Sequence, residues 1–416
     1  MHYSNDIARI LNASWAFTTR RVPRDAAKTL LPLEGAPHPG DLVLASVDYL
    51  GQHPGLQLPS GRRKQLFPGD EIVVAYGNRY ASNQFESVVP ETLGPCHLVA
   101  GGGIASRTLS WHVNMKKGPT HITPIGLLGD IDNKRINLRD YALSPINEIR
   151  ASLPAAIAVV GTGMDSGKTQ SCAYLVRGLL AAGLRVGYAK ITGTGAGGDF
   201  WLLKDAGASP VLDFTDAGMA TTYMITPEQL ESLLRTLMGH IARKNVDAMV
   251  LEIADGIFQQ ETSALLQSPV FASLVSGILM ASQDSMGASA GIDFLRKHAK
   301  PPVVAISGII SAAPLQIREA VTALHLPVYN REELATPENA IKILADTQHS
   351  QILGATTARH IPATSQEEAM TTTPESAMNI SAPGTQLHTG TKNILGFLPK
   401  IKQMMQQFDS SKKYDQ

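Results

Sequence analysis

Residues 155–170 read Ala155-Ala-Ile-Ala-Val-Val-Gly161-Thr162-Gly163-Met-Asp165-Ser166-Gly167-Lys168-Thr169-Gln170. The apolar, β-branched run Ile157 to Val160 has the length and character of a buried parallel strand. A glycine loop follows it, then Lys168 and Thr169, then a helical pattern with Ala173, Leu175, Leu179 and Leu180 on one apolar face. Strand, glycine loop, Lys-Thr and helix together form a phosphate cradle. Loop N–H groups and the helix N-terminus point at the anion, the lysine adds charge, and the threonine hydroxyl suits magnesium. The strict Walker A spacing wants glycine at position 162; here Thr162 stands there and Gly161 comes one residue earlier. Gly161, Thr162, Gly163, Asp165, Ser166, Gly167, Lys168 and Thr169 are the expected nucleotide-binding residues.

Downstream of this loop, strand and helix patterns alternate, as expected of a parallel α/β sheet. Strands are expected at Arg185–Ile191, Pro210–Phe214, Asp247–Glu252, Ser276–Ala281, Val303–Ile306 and Pro327–Tyr329. Helices are expected at Asp199–Ala206, from Thr226 to Lys244 with threonine as N-cap, at Ala288–Lys297, at Pro314–Leu324 and after Pro337. The buried strand ending in Glu252 has the Walker B layout, with a carboxylate at a sheet's carboxyl edge beside the phosphate loop.

Upstream the texture is different. From Gly40 to about Ile136, short apolar runs at Leu42–Val47, Glu71–Tyr76, His97–Ala100 and Ile122–Leu128 are divided by turn signals such as Pro39-Gly-Asp and Gly101-Gly-Gly. Short strands without intervening helices predict a barrel or a sandwich. Two polar, aromatic segments, 76–86 and 106–112, suit binding loops or plain surface equally. A weak helical pattern runs through Ile7, Ile10, Leu11, Trp15 and Phe17. Arg20, Arg21 and Arg24 beside it suit an anionic ligand or, preferably, a solvated surface. No metal-ligand spacing links His97, His112 and His121, which read as structural.

The expected organisation is a β-rich N-terminal domain over 1–140, a connector, and a parallel-sheet P-loop NTPase domain over 151–347. Residues 348–392, rich in Thr, Ser, Ala, Pro and Gln, read as a disordered linker. Over 393–410, Ile394, Leu395, Leu398, Ile401, Met405 and Phe408 recur at helical spacing. That amphipathic segment suits docking on a partner protein, folding back on its own domain or, third, a membrane surface.

The 416 residues carry 36 Lys+Arg against 36 Asp+Glu, so charge gives no argument for nucleic acid or membrane partners. No apolar run approaches the ~18 residues of a membrane span. Cys96 and Cys172 are far apart and read as small core hydrophobes in a reducing compartment. The polar stretch Tyr3 to Asp6 lacks a signal-peptide core, and a cytoplasmic homo-oligomer is expected.

With Gly161-Thr-x-x-x-x-Gly167-Lys168-Thr169, Tyr188-x-Lys190, Asp199 and Glu252 in place, residues 155–345 resemble the dethiobiotin synthetase group of P-loop NTPases. Cobyrinic acid amide synthetases are among its wider relatives. The resemblance implies ATP and Mg2+ as cofactors, with Lys168 on the β- and γ-phosphates. It implies Thr169, Asp199 and Glu252 around the metal, and Lys190 as a second catalytic lysine that stabilises the transferring phosphoryl group or a substrate oxyanion. Ile253 and Asp255 stand where that group has glycine, and Ser307-Gly308 where it has an adenine-binding asparagine.

The expected function is an ATP-dependent ligase that phosphorylates a carboxylate or carbamate of a small metabolite and forms a C–N bond. The alternative is a nucleotide-driven switch or assembly ATPase whose tail docks on a partner. Thr192, Thr194, Asp213, Asp216 and Thr221 are on loops placed to face a substrate pocket or to serve as ordinary caps.

Overall fold

In the computed structural model, which describes residues 2–149 and 153–358, the buried apolar residues gather around two sheets and the helices packed on them. The chain is a mixed α/β protein: a β-rich part followed by a parallel sheet wrapped in helices.

In the β-rich part the pairings close on themselves. Glu71–Tyr76 pairs with Leu42–Tyr49, which pairs with Thr120–Gly129, then Cys96–Ala100, then Ile104–Trp111. That last strand returns to the first through Ile104↔Ala75 and Ala105↔Tyr76. Of the barrel and sandwich alternatives, the closed one forms. The two-residue period of the strands shows in their cores. Val43, Ala45, Val47, Ile72, Val74, Leu98, Ala105 and Ile122 pack together on one face. Leu42, Leu44, Val73 and Ala75 pack on the other, against Ile10 and Trp15. The N-terminal helix, His2–Asn12, is shorter than its expected pattern, because Ser14 and Trp15 leave it to pair alongside Ile72 and Val73.

The second sheet has six parallel strands in the order Val211–Asp213, Val186–Lys190, Ala248–Glu252, Ala155–Gly161, Gly277–Ala281 and Val303–Ser307. The strand leading into the phosphate loop therefore lies directly beside the one ending in Glu252, with Val159 opposite that residue. Lys190 is also in register with Glu252, so the loop, the lysine and the glutamate emerge at one carboxyl edge. Helices Lys168–Ala181, Pro227–Ala242, Ser285–His298 and Pro314–Leu324 lie close to their expected bounds. Thr226 caps its helix in a full capping box with Gln229.

Several expectations change. The strand at Pro327–Tyr329 reduces to one bridge, Ile306↔Val328, since the chain has only just left a helix through a left-handed His325. The last helix runs from Pro337 to Ala358, past the expected start of the linker at 348. Residues 359–392 and the segment 393–410 lie outside the described residues. Barrel and parallel sheet belong to one compact unit, Met1–Thr347, rather than two units joined by a free connector. Among the described residues no helix is long and apolar enough to cross a membrane.

Candidate nucleotide site and adjoining cleft

The glycine loop from Gly161 to Gly167 has the backbone that the phosphate-loop reading expects. Gly167 takes a left-handed φ of 97°, and a Cβ there would lie 2.8 Å from Gly308 Cα, so only glycine fits the turn into the helix. No side chain caps that helix, which leaves its first N–H groups directed into the loop. Lys168 Nζ donates to Gly163 O at 2.8 Å and is buried. Burial lowers its pKa from the ordinary lysine value; Glu252 and Asp255 pull it back up, while Lys190 pushes it down. Ser166 Oγ is buried with no hydrogen-bond partner.

Beside the loop, a charged cluster forms at the sheet edge. Glu252, 1 % exposed, accepts from Thr169 Oγ1 at 3.1 Å and from the Tyr188 hydroxyl at 2.8 Å. Lys190 Nζ lies 3.2 Å from Glu252 Oε1 and donates to Asp199. Burial alone would lower the Lys190 ammonium, but the two carboxylates outweigh it and raise it. Thr169, Glu252, Lys190 and Asp199 thus meet, with the lysine standing between the two acids. No group of three or more His, Cys, Asp or Glu with metal-binding geometry occurs among the described residues. The donor set present, one hydroxyl and one or two carboxylates, is the kind that holds magnesium when phosphate oxygens and water complete its shell.

Between barrel and sheet lies a cleft of about 440 Å³. The sheet side contributes Lys190, Asp199, Thr194 and Asp255; the barrel side contributes Arg63, Arg79, His53 and three glutamines, Gln52, Gln57 and Gln84. Residues 76–86 contribute Arg79, Tyr80 and Gln84 to the lining, whereas 106–112 contributes none and leaves Leu109 and Trp111 exposed. The barrel also touches the loop itself: Asn83 Nδ2 donates to Asp165 Oδ2 at 2.5 Å. Close approach is enforced at Gly102, where a Cβ would fall 2.0 Å from Gly195 O.

Two groups of expected residues change role. Arg20 is not on a solvated surface; its side chain is 10 % exposed and donates to Asp213 at 3.1 Å and to Asp216 at 2.7 Å. Asp213 and Asp216 accordingly bind the barrel to the sheet and are absent from the cleft lining. Thr192 donates to Ala254 O, and Thr221 to Gly193 O at 3.3 Å, shaping loops, while Thr194 lines the cleft. Gln84 lies in the segment 76–86 that sequence reasoning singled out, whereas His53, Arg63, Gln52 and Gln57 were passed over. The one signal that could have found them is the Gly101-Gly102-Gly103 turn, whose lack of side chains marks a place where another backbone packs close.

No family model matches the chain, and no curated protein does. Among solved structures it is similar to the signal recognition particle receptor FtsY from Elizabethkingia anophelis in complex with GDP. That likeness has 17% identity and a TM-score of 0.34, and covers 48% of this chain and 65% of that one, less than two thirds of its length. It is also similar to FtsY from Thermotoga maritima (17%, TM-score 0.33, 50% and 73% covered). A third is the 54 kDa signal recognition particle protein from Aeropyrum pernix in complex with GDP (16%, TM-score 0.33, 50% and 51% covered). None of the three is named as a member of the dethiobiotin synthetase group of the sequence resemblance. At such TM-scores the likeness carries no argument, and the site rests on its own geometry.

Proposed function

We propose that the chain is a nucleotide-dependent enzyme that transfers a phosphoryl group to a small acidic metabolite held in the cleft between barrel and sheet. The carrying observation is that Lys190 and Asp199, beside the phosphate loop, line the same cleft as Arg63 and Arg79 of the barrel. A pure switch has no need of a metabolite-sized cleft with polar groups converging from two elements.

The residues fit a nucleotide: an uncapped helix N-terminus, a buried Ser166 hydroxyl without a partner, and a lysine folded over the loop. Gly161 to Thr169 would hold the phosphates, and Thr169, Glu252 and Asp199 the magnesium. Bound nucleotide and metal would supply the transferable phosphoryl group and part of the charge compensation it needs. Lys190, kept protonated by its two acids, presents a fixed positive charge to the cleft without having to reorganise. The barrel wall excludes water from one side. The finer reading is a ligase that uses ATP to activate a carboxylate for capture by an amine.

Lys168→Ala is expected to abolish metabolite-dependent nucleotide hydrolysis, a loss of about a hundredfold or more, with circular dichroism unchanged. Undiminished turnover in that variant sinks the assignment.

A nucleotide-driven switch is the second reading. The Asn83–Asp165 bond favours it, because a barrel loop hung on the phosphate loop registers what that loop holds. Hydrolysis stimulated by a protein that captures residues 393–410, with no response to any small acid, would select it.

A further inference from the structure

Arg79 is 4 % exposed, lines the cleft, and makes no ion pair among the described residues. A buried guanidinium without a carboxylate is uncommon, because buried charges are normally paired. Its contacts are neutral. One terminal nitrogen lies 3.0 Å from His53 Nε2, and the other donates to Gln84 Oε1 at 2.6 Å. Its Nε is buried with no hydrogen-bond partner.

Burial, with the charges of Arg79 and Arg63, pushes the His53 pKa down to about 3, so the ring is neutral and accepts from Arg79. His53 and Gln84 thus orient the guanidinium without neutralising it. Asp255 acts on Arg79 only through space, and burial still holds the arginine's pKa down at about 10. Across the cleft, Lys190 already has Asp199 and Glu252 as partners. Arg63, exposed at the cleft's barrel side, is a further cation. The cleft therefore carries unspent positive charge on its barrel wall.

We propose that Arg79, aimed by His53 and Gln84, is a carboxylate clamp that holds the acidic substrate against Lys190. The planar fork of arginine suits a carboxylate in a way a lysine does not. This deepens the reading above and rests on it for the chemistry that follows binding. Binding itself does not require nucleotide.

The test is calorimetric titration of the full chain at low salt with acetate, succinate and glutarate, and with diaminobutane as the cationic counterpart. The dicarboxylates are expected to bind the unaltered chain and diaminobutane not to, a comparison that needs no variant. Arg79→Gln should weaken the dicarboxylates by about tenfold to a hundredfold. Arg79→Lys should restore only part of this. Inorganic phosphate binding that survives Arg79→Gln and vanishes in Lys168→Ala reports the phosphate loop and supports two separate sites. No heat from any of the carboxylates, equal heat in Arg79→Gln, or preference for diaminobutane would each overturn the clamp.

Magnesium with ATP or GTP is titrated into the same samples. Nucleotide heat with no carboxylate heat defeats the clamp alone. Carboxylate heat with no nucleotide heat defeats the functional reading and leaves the clamp standing.

Discussion

Arg20 and Arg79 are both buried guanidinium groups on the barrel side of the contact with the parallel sheet, and they are treated in opposite ways. Arg20 faces two carboxylates, Asp213 and Asp216, donates to Thr215 as well, and lies 4.2 Å from the Phe17 ring centroid and 4.8 Å from that of Phe200. Burial would lower its pKa, but the two acids win and raise it. Asp216 is nevertheless raised too, since its burial and the neighbouring Asp213 outweigh the arginine. Arg79 has neutral acceptors and an empty Nε. A matched buried charge fixes two parts of a protein together, whereas an unmatched one is held in readiness for something that arrives.

The contrast breaks most readily at Arg20. Arg20→Ala leaves buried Asp213 without its ion pair and Asp216 with only the longer contact to Arg21 at 3.5 Å, and should destabilise the chain by about 3 kcal/mol in denaturant titration. Arg79→Gln removes an uncompensated charge, so it should cost less than about 1 kcal/mol, or stabilise, while carboxylate binding is lost. Equal losses in the two variants would erase the distinction between a tie and a clamp.

A pH series sharpens it further. An unfolded histidine takes its proton near pH 6.5 and the folded His53 only near 3, so below about 6.5 the unfolded state binds more protons. Stability present above that pH should therefore fall as the pH drops towards 3, and His53→Gln should flatten part of the slope. An identical slope in the two proteins would mean that His53 titrates in the fold as it does unfolded and is not held neutral by its burial beside Arg79.

Much of the parallel sheet was legible because its signals are local. Thr226-Pro-Glu-Gln announces a capped helix, and the run into Glu252 announces a buried strand, each within a few residues. Ser166 and Lys168 could be placed in a phosphate loop because strand, glycines and helix adjoin in the chain. Arg20 was misread for the complementary reason. An arginine among arginines reads as solvated surface, and only Asp213 and Asp216, far along the chain, turn it into a buried tie. His53 and Asp255, on loops of the barrel and of the sheet, likewise carry no pattern of their own, and the segment that holds Arg79 did not reveal that the short strand Arg79–Tyr80 would bury it beside them. The helix to Ala358 also exceeds its sequence reading, as polar composition marked a linker where the backbone continues regular.

The sequence by itself determined the glycine loop between strand and helix, the strand–helix alternation and the β texture ahead of it, since each depends on neighbours within one or two turns of chain. Only the tertiary structure decided that the barrel closes, that it packs on the carboxyl edge of the sheet, and that one buried arginine is paired while another is not. Charge burial is a property of what meets across space, and no local pattern records it.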